Sequence, residues 1–195
     1  MIDPNALNTL FLEARTQNGW LPTPVTDDEL RRAYDIAKMA PTSMNLQPAR
    51  FLFLRTQAAK ERLKPFLSPG NVDKTMAAPV VAIVAHDVDF HEQLPKVWHN
   101  PAAKANFDGD AKRGFRETFA FRNGSLQGAY FILAARAVGL DCGPMSGFDN
   151  ARLDAEFFPD GRVKSNFLIN LGHGDASKVM QRQPRLSFDE ACTLL

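Results

Sequence analysis

The run Pro79-Val80-Val81-Ala82-Ile83-Val84-Ala85 contains no polar side chain, and no other stretch restricts the fold as much. Successive residues of a strand point to opposite faces, so a strand that is apolar at every position is covered on both sides. That requires a sheet with packed layers above and below it. Even counted from Ala77, the run is broken by Pro79 and falls far short of the ~20 residues that span a bilayer. It predicts the centre of a layered domain.

Arg50 to Arg55 (RFLFLR) and Val163 to Leu171 (VKSNFLINL) read as two further strands. Helical spacing predicts a short helix over Asn5 to Glu13. Thr26-Asp27-Asp28-Glu29 is a capping box, in which hydroxyl and carboxylate satisfy each other's orphan N–H groups. It opens a helix carrying Leu30, Ala33, Ala37 and Met39 that must stop near Pro41. A helix is expected over Ala58 to Leu67. The longest spans Lys112 to Val138, with Phe115, Phe119, Leu126, Tyr130, Leu133 and Ala137 as its apolar face and Gly139 as its left-handed stop. Leu140 to Phe148 reads as a Gly/Pro-rich connection, Asp149 caps a helix to about Phe157, and Ser187-Phe188-Asp189-Glu190 opens a terminal one. Helices outnumber the strands and separate them. The expectation is an α+β fold, layered α/β/α, around one central sheet.

A chain of 195 residues is sized for one domain, here residues 1–195, and needs no metal or disulfide staple. Lys+Arg number 23 against Asp+Glu 22, a net charge of +1, which argues against nucleic acid or an anionic membrane as partner. Cys142 and Cys192 lack metal-type spacing, and the N-terminus lacks the basic and apolar segments of a secretion signal. Free thiols in a reducing cytoplasm are the expectation.

Neither GxGxxG nor GxxxxGK[ST] occurs, and no GxSxG elbow supplies a nucleophile. His86, Asp87, Asp89 and His91 lie close together; without an HExxH or a cysteine partner they read as a solvated loop rather than a metal site. If the chain is an enzyme, a cofactor carries the chemistry.

Three polar segments sit at element ends: Ala40-Pro41-Thr42-Ser43-Met44-Asn45-Leu46-Gln47-Pro48, Cys142-Gly143-Pro144-Met145-Ser146-Gly147-Phe148, and the basic tail Arg182-Gln183-Pro184-Arg185-Leu186. With Asn71-Val72-Asp73-Lys74 and Ala14-Arg15-Thr16-Gln17-Asn18 they resemble, in order, the elements of the FMN-dependent nitroreductase family. The likeness runs from residue 14 to residue 186. Finer features (ARTQNGW, APTSMNLQPARF, GPMSGFD, RQPRLSFDE) resemble its malonic semialdehyde reductase subgroup.

The resemblance implies a nitroreductase fold with a central mixed sheet flanked by helices, in an intertwined homodimer with FMN at the interface. It implies ping-pong transfer, in which NADH or NADPH reduces FMN at N5 and an acceptor then takes the same seat. The acceptor would be a small carboxylated aldehyde such as malonic semialdehyde, giving 3-hydroxypropionate. A broad nitroaromatic or quinone reductase and a flavin-binding protein without turnover are the alternatives.

By the same resemblance, Arg15, Thr16, Arg182 and Arg185 would hold the FMN phosphate, whose dianion suits guanidinium forks. Asn18 stands where the family has a second cation, keeping a donor and losing a charge. Pro41, Thr42, Ser43, Asn45 and Gln47 would meet the phosphate, ribityl chain and ring, partly across the dimer. Asn71 would pair with the pyrimidine edge, and Lys74 would stabilise negative charge near N1 and O2. Pro144, Met145, Ser146 and Gly147 would line one flavin face, with an N–H from Ser146 or Gly147 toward N5. No side chain is assigned as catalytic. Arg122, Asn123 and Ser125 are potential proton donors or simply polar positions on the long helix.

Overall fold

The protein is described here by a computed structural model covering residues 2–195. In chain order it contains α1 (Pro4–Leu7, running on through a wider turn to Leu12), α2 (Asp27–Ala37), β1 (Ala49–Leu54), α3 (Gln57–Leu63), α4 (Val72–Met76), β2 (Val80–Asp87), α5 (Leu94–Val97), α6 (Arg113–Ala137), β3 (Asp141–Met145), α7 (Asn150–Phe157), β4 (Val163–Gly172) and α8 (Phe188–Ala191). Both expected capping boxes form, Thr26 with Glu29 and Ser187 with Glu190. Thr26→Ala removes a cap worth about 1 kcal/mol and is expected to lower the midpoint in a urea melt, with the slope unchanged.

The sheet order is β1-β2-β4-β3. Every strand pair in it is antiparallel, which corrects the expected mixed sheet. The parallel pairing present is an isolated bridge, Thr16 to Cys142, on the outer side of β3. The fourth strand, β3, occupies the segment read above as a Gly/Pro-rich connection. Asp-Cys-Gly-Pro-Met has no β-branched residue, and Pro144 cannot donate; on an edge strand that omission is tolerated. Cys142 is fully buried there, and burial pushes its thiol up to about 12.

β2 is buried at all of its positions, and its alternate residues feed two different cores. Val80, Ala82 and Val84 pack with Leu30 and Ala33 of α2 and Phe131, Ala134 and Ala135 of α6. Val81 and Ile83 pack on the other face with Leu63, Leu153 and Leu168. The apolar run thus performs the two-sided role that its composition requires. A third cluster, Leu46, Phe90, Leu94, Phe107 and Ala120, fills the space beneath residues 88–112.

α6 turns a different face to the sheet than apolar spacing predicts. Its buried positions include Ala120, Asn123, Gly124, Gln127, Gly128 and Phe131, while Phe115 and Leu126 are exposed. The cause is close approach: a Cβ on Gly128 would stand 2.5 Å from Phe167 Cζ, and one on Gly124 would stand 2.9 Å from His86 Cβ. Glycines mark the sheet-facing side, and a pattern that counts large apolar residues passes over them.

Candidate functional site

Most of the candidate residues gather along the β3 edge. The stretch from Thr16 to Leu21 runs beside β3 and the turn after β4: Gln17 N–H donates to Cys142 O at 3.0 Å and Leu21 N–H to His173 O at 2.8 Å. Gly143 and Gly174 permit this, since a Cβ on either would lie within 2.5 Å of Gln17. The run places Arg15 half-buried, Thr16 exposed and Asn18 half-buried at the strand's outer side. The Arg15 guanidinium donates to Met180 O. Arg182 comes back from the tail to donate to Leu12 O at 2.7 Å and Ala14 O at 3.3 Å. Two guanidinia therefore lie beside the segment that leads into Thr16. Arg185 is not brought to this group; it is exposed and bonds its neighbours Gln183 O and Pro184 O.

α4 supplies the other end of the same edge. The Lys74 carbonyl accepts from the Trp20 indole at 3.1 Å and from Asn170 Nδ2 at 3.2 Å, which fixes the backbone and leaves the half-buried ammonium stem free of both contacts. Asn71 Nδ2 donates to Gly147 O at 2.8 Å, and Ser68 N–H donates to the same oxygen at 3.0 Å. A Cβ on Gly147 would stand 2.5 Å from Asn71 Nδ2, so any larger residue here would displace the Asn71 amide. Thr75 Oγ1 contacts Met145 Sδ. Pro144, Met145, Ser146, Gly147, Asn71 and Lys74 therefore form one continuous surface. Gln17 Oε1 and Asn170 Oδ1 are buried behind it without a protein partner.

Pro41, Thr42, Ser43, Asn45 and Gln47 lie elsewhere. They precede β1, at the opposite edge of the sheet, three strand spacings or about 14 Å from β3 across the sheet alone. Met44, Asn45 and Gln47 have φ of 48°, 53° and 43°, a left-handed conformation that costs a side-chain-bearing residue of order 1 kcal/mol. The loop is held by side chains that motif reading missed or misread. Asn123, fully buried on α6, accepts from Ser43 N–H at 2.8 Å and donates to Phe119 O. Both ends of its amide are engaged, so it is a loop anchor rather than a proton donor. Gln127 accepts from Ala49 N–H at 2.9 Å, and Asn45 Nδ2 donates to Val97 O at 2.8 Å. Ser125 donates to Phe121 O and accepts from Asn166, and exposed Arg122 lies over Phe119, both ordinary helix-surface contacts. A recess of about 430 Å³ opens beside the loop, lined by Gln47, Ala49, Arg50, Gln93, Lys96 and Gln127 among others.

The His86–His91 segment is not a solvated loop. His86, Asp87 and His91 are buried. Asp87 accepts from Arg50 at 2.7 Å and from Arg162 at 2.9 and 3.0 Å. Burial opposes its ionisation, but Arg162's hydrogen bonds and the charges of Arg50 and Arg162 outweigh burial and hold the carboxyl below its ordinary range. Among the described residues no His, Cys, Asp and Glu group is arranged to hold a metal.

The donor chemistry of the β3 edge fits a phosphorylated planar ring: two guanidinia and a hydroxyl at one end, an amide and an ammonium at the other, and a glycine-walled strand between them. The Nitroreductase family profile matches residues 14–173. A Cupriavidus pinatubonensis protein named "Putative NADH dehydrogenase/NAD(P)H nitroreductase" is 60% identical over 189 residues, 96% of each chain. Solved structures share the fold at low identity. A "putative NAD(P)H:FMN oxidoreductase" of Staphylococcus epidermidis has a TM-score of 0.84 and 19% identity, covering 100% of this chain and 98% of that one. A "putative nitroreductase in complex with FMN" from Exiguobacterium sibiricum has a TM-score of 0.82 and 18% identity, covering 100% and 99%. With a family profile over most of its length and relatives of this identity, the chain belongs to the nitroreductase family.

Proposed function

We propose that the protein is an NAD(P)H-dependent FMN oxidoreductase whose FMN site is completed by a second copy of the chain. The observation that carries this reading is the division of the candidate residues between opposite sheet edges. Bound FMN supplies the redox chemistry, storing a hydride from NADH or NADPH and passing it to an acceptor. Arg15 and Arg182 neutralise the phosphate and Thr16 donates a hydroxyl; Asn18 adds an uncharged donor, and Arg185 joins them only if the tail moves. Asn71 would hold the pyrimidine edge, Lys74 would offset the negative charge of the reduced ring, and main-chain N–H groups of Ser146 or Gly147 would face the ring. Pro144 and Met145 wall one face. Pro41, Thr42, Ser43, Asn45 and Gln47 come from the second copy. The exposed Phe121 and Leu126 on α6 favour the same arrangement, since two copies meeting there would bury them. Its two free thiols favour a reducing, cytoplasmic setting.

For the acceptor, the segment likeness and the cationic Lys96 in the recess beside Gln47 favour a small carboxylated aldehyde such as malonic semialdehyde. The names of the relatives favour a nitro compound instead. Purified protein is expected to elute at twice its chain mass with bound flavin colour that NADH or NADPH bleaches under anaerobic conditions. Colourless protein that takes up no FMN would overturn the reading, and colour that does not bleach would mark a flavin store. The ratio of kcat/KM for malonic semialdehyde to that for a nitroaromatic then decides the acceptor.

A further inference from the structure

Three left-handed residues that are not glycine, within six positions, make the segment from Thr42 to Gln47 costly to hold. Such a loop keeps one shape only where its surroundings over-determine it. Its N–H groups are clasped by side chains at Ser43 (Asn123), Gln47 (Thr42) and Ala49 (Gln127). On the carbonyl side one side chain serves residues 47–49. Arg50 Nη1 donates to Gln47 O at 3.2 Å, Pro48 O at 3.3 Å and Ala49 O at 2.9 Å. Its other nitrogen donates to Asp87 Oδ2 at 2.7 Å. Asp87 is 2% exposed, lies at the end of β2 and sends its own N–H to Pro48 O at 2.8 Å. Arg162 grips the same carboxylate and extends to Glu92 at 2.7 Å. The carboxylate thus joins the loop's exit to the segment 88–112, which touches the loop again where Asn45 meets Val97.

We propose that Asp87 is a positioning residue for the cofactor loop. Through Arg50 it fixes the carbonyls of residues 47–49, and so the shape in which Thr42, Ser43, Asn45 and Gln47 are presented. This rests on the reading of that loop as part of the FMN site. Asp87 is buried, so its action passes through the guanidinium, which reaches the carbonyls with Nη1 and the carboxylate with Nη2, a span that an ammonium cannot make.

Two variants of the full-length protein test it. Asp87→Asn removes the charge that orients Arg50. Arg50→Lys keeps a cation opposite Asp87 but loses the multiple grip, and it decides the matter if the first variant does not fold. Folded protein of either kind is expected to bind FMN about tenfold more weakly and to exchange the amide hydrogens of Ser43, Gln47 and Ala49 faster than wild type, with exchange in β2 and β4 unchanged. A merely structural role would lower the Tm and leave FMN affinity and the exchange pattern as they were, and that result would overturn the proposal. Should wild type itself take up no FMN, the proposed function fails, and the exchange comparison alone decides whether Asp87 governs the loop.

Discussion

Gly147→Ala is expected to weaken FMN binding in an otherwise folded protein. The new methyl group would stand 2.5 Å from Asn71 Nδ2 and 3.2 Å from Ser68 Oγ. Asn71 can escape only by giving up its 2.8 Å bond to the Gly147 carbonyl, which breaks the junction between α4 and the strand end. Losing one hydrogen bond and displacing a ring-orienting amide together amount to roughly 1.5–3 kcal/mol, a weakening of about tenfold to a hundredfold. Gly147 lies outside the apolar clusters, so the far-ultraviolet dichroism is expected to match wild type. A flavin titration that overlays wild type would remove Gly147 and Asn71 from the site.

Lys74→Met is expected to act on reduction more than on folding. The Lys74 backbone is held by Trp20 and Asn170 through its carbonyl, and those bonds survive the substitution. The loss is the positive charge. A hydrogen bond to a charged group contributes about 1.5–3 kcal/mol, which for a two-electron couple corresponds to roughly 30–60 mV. The midpoint potential of bound flavin should fall by that amount, measured by anaerobic dye equilibration. An unchanged potential with unchanged affinity would return Lys74 to the status of a solvated lysine.

The parts legible from the amino-acid order are those governed by local chemistry. Pro79 to Ala85 announced a strand covered on both faces, and two capping boxes marked helix starts at Asp27 and Phe188. The fourth strand was hidden because Asp141 to Met145 has little intrinsic preference for extended structure and is held by pairing with β4 and the run from Thr16. The facing side of α6 was hidden because Gly124 and Gly128 act by being small. The candidate site was read as a set of loops, and the division of its residues between two sheet edges follows from strand order, which no local pattern encodes. The pairing of Asp87 with Arg50 escaped notice for the same reason: the two are 37 positions apart and meet only through the antiparallel register of β1 and β2.

The burial of Cys142 carries a consequence for durability. An oxidoreductase that leaks electrons to dioxygen generates peroxide, and sulfur is attacked by such oxidants as the thiolate. With its proton retained up to about 12 and its sulfur packed in the core against Ile132 of α6, Cys142 offers no nucleophile to such reagents. Oxidative wear is thereby directed to Cys192, exposed on the tail, where a modified sulfur disturbs no packing.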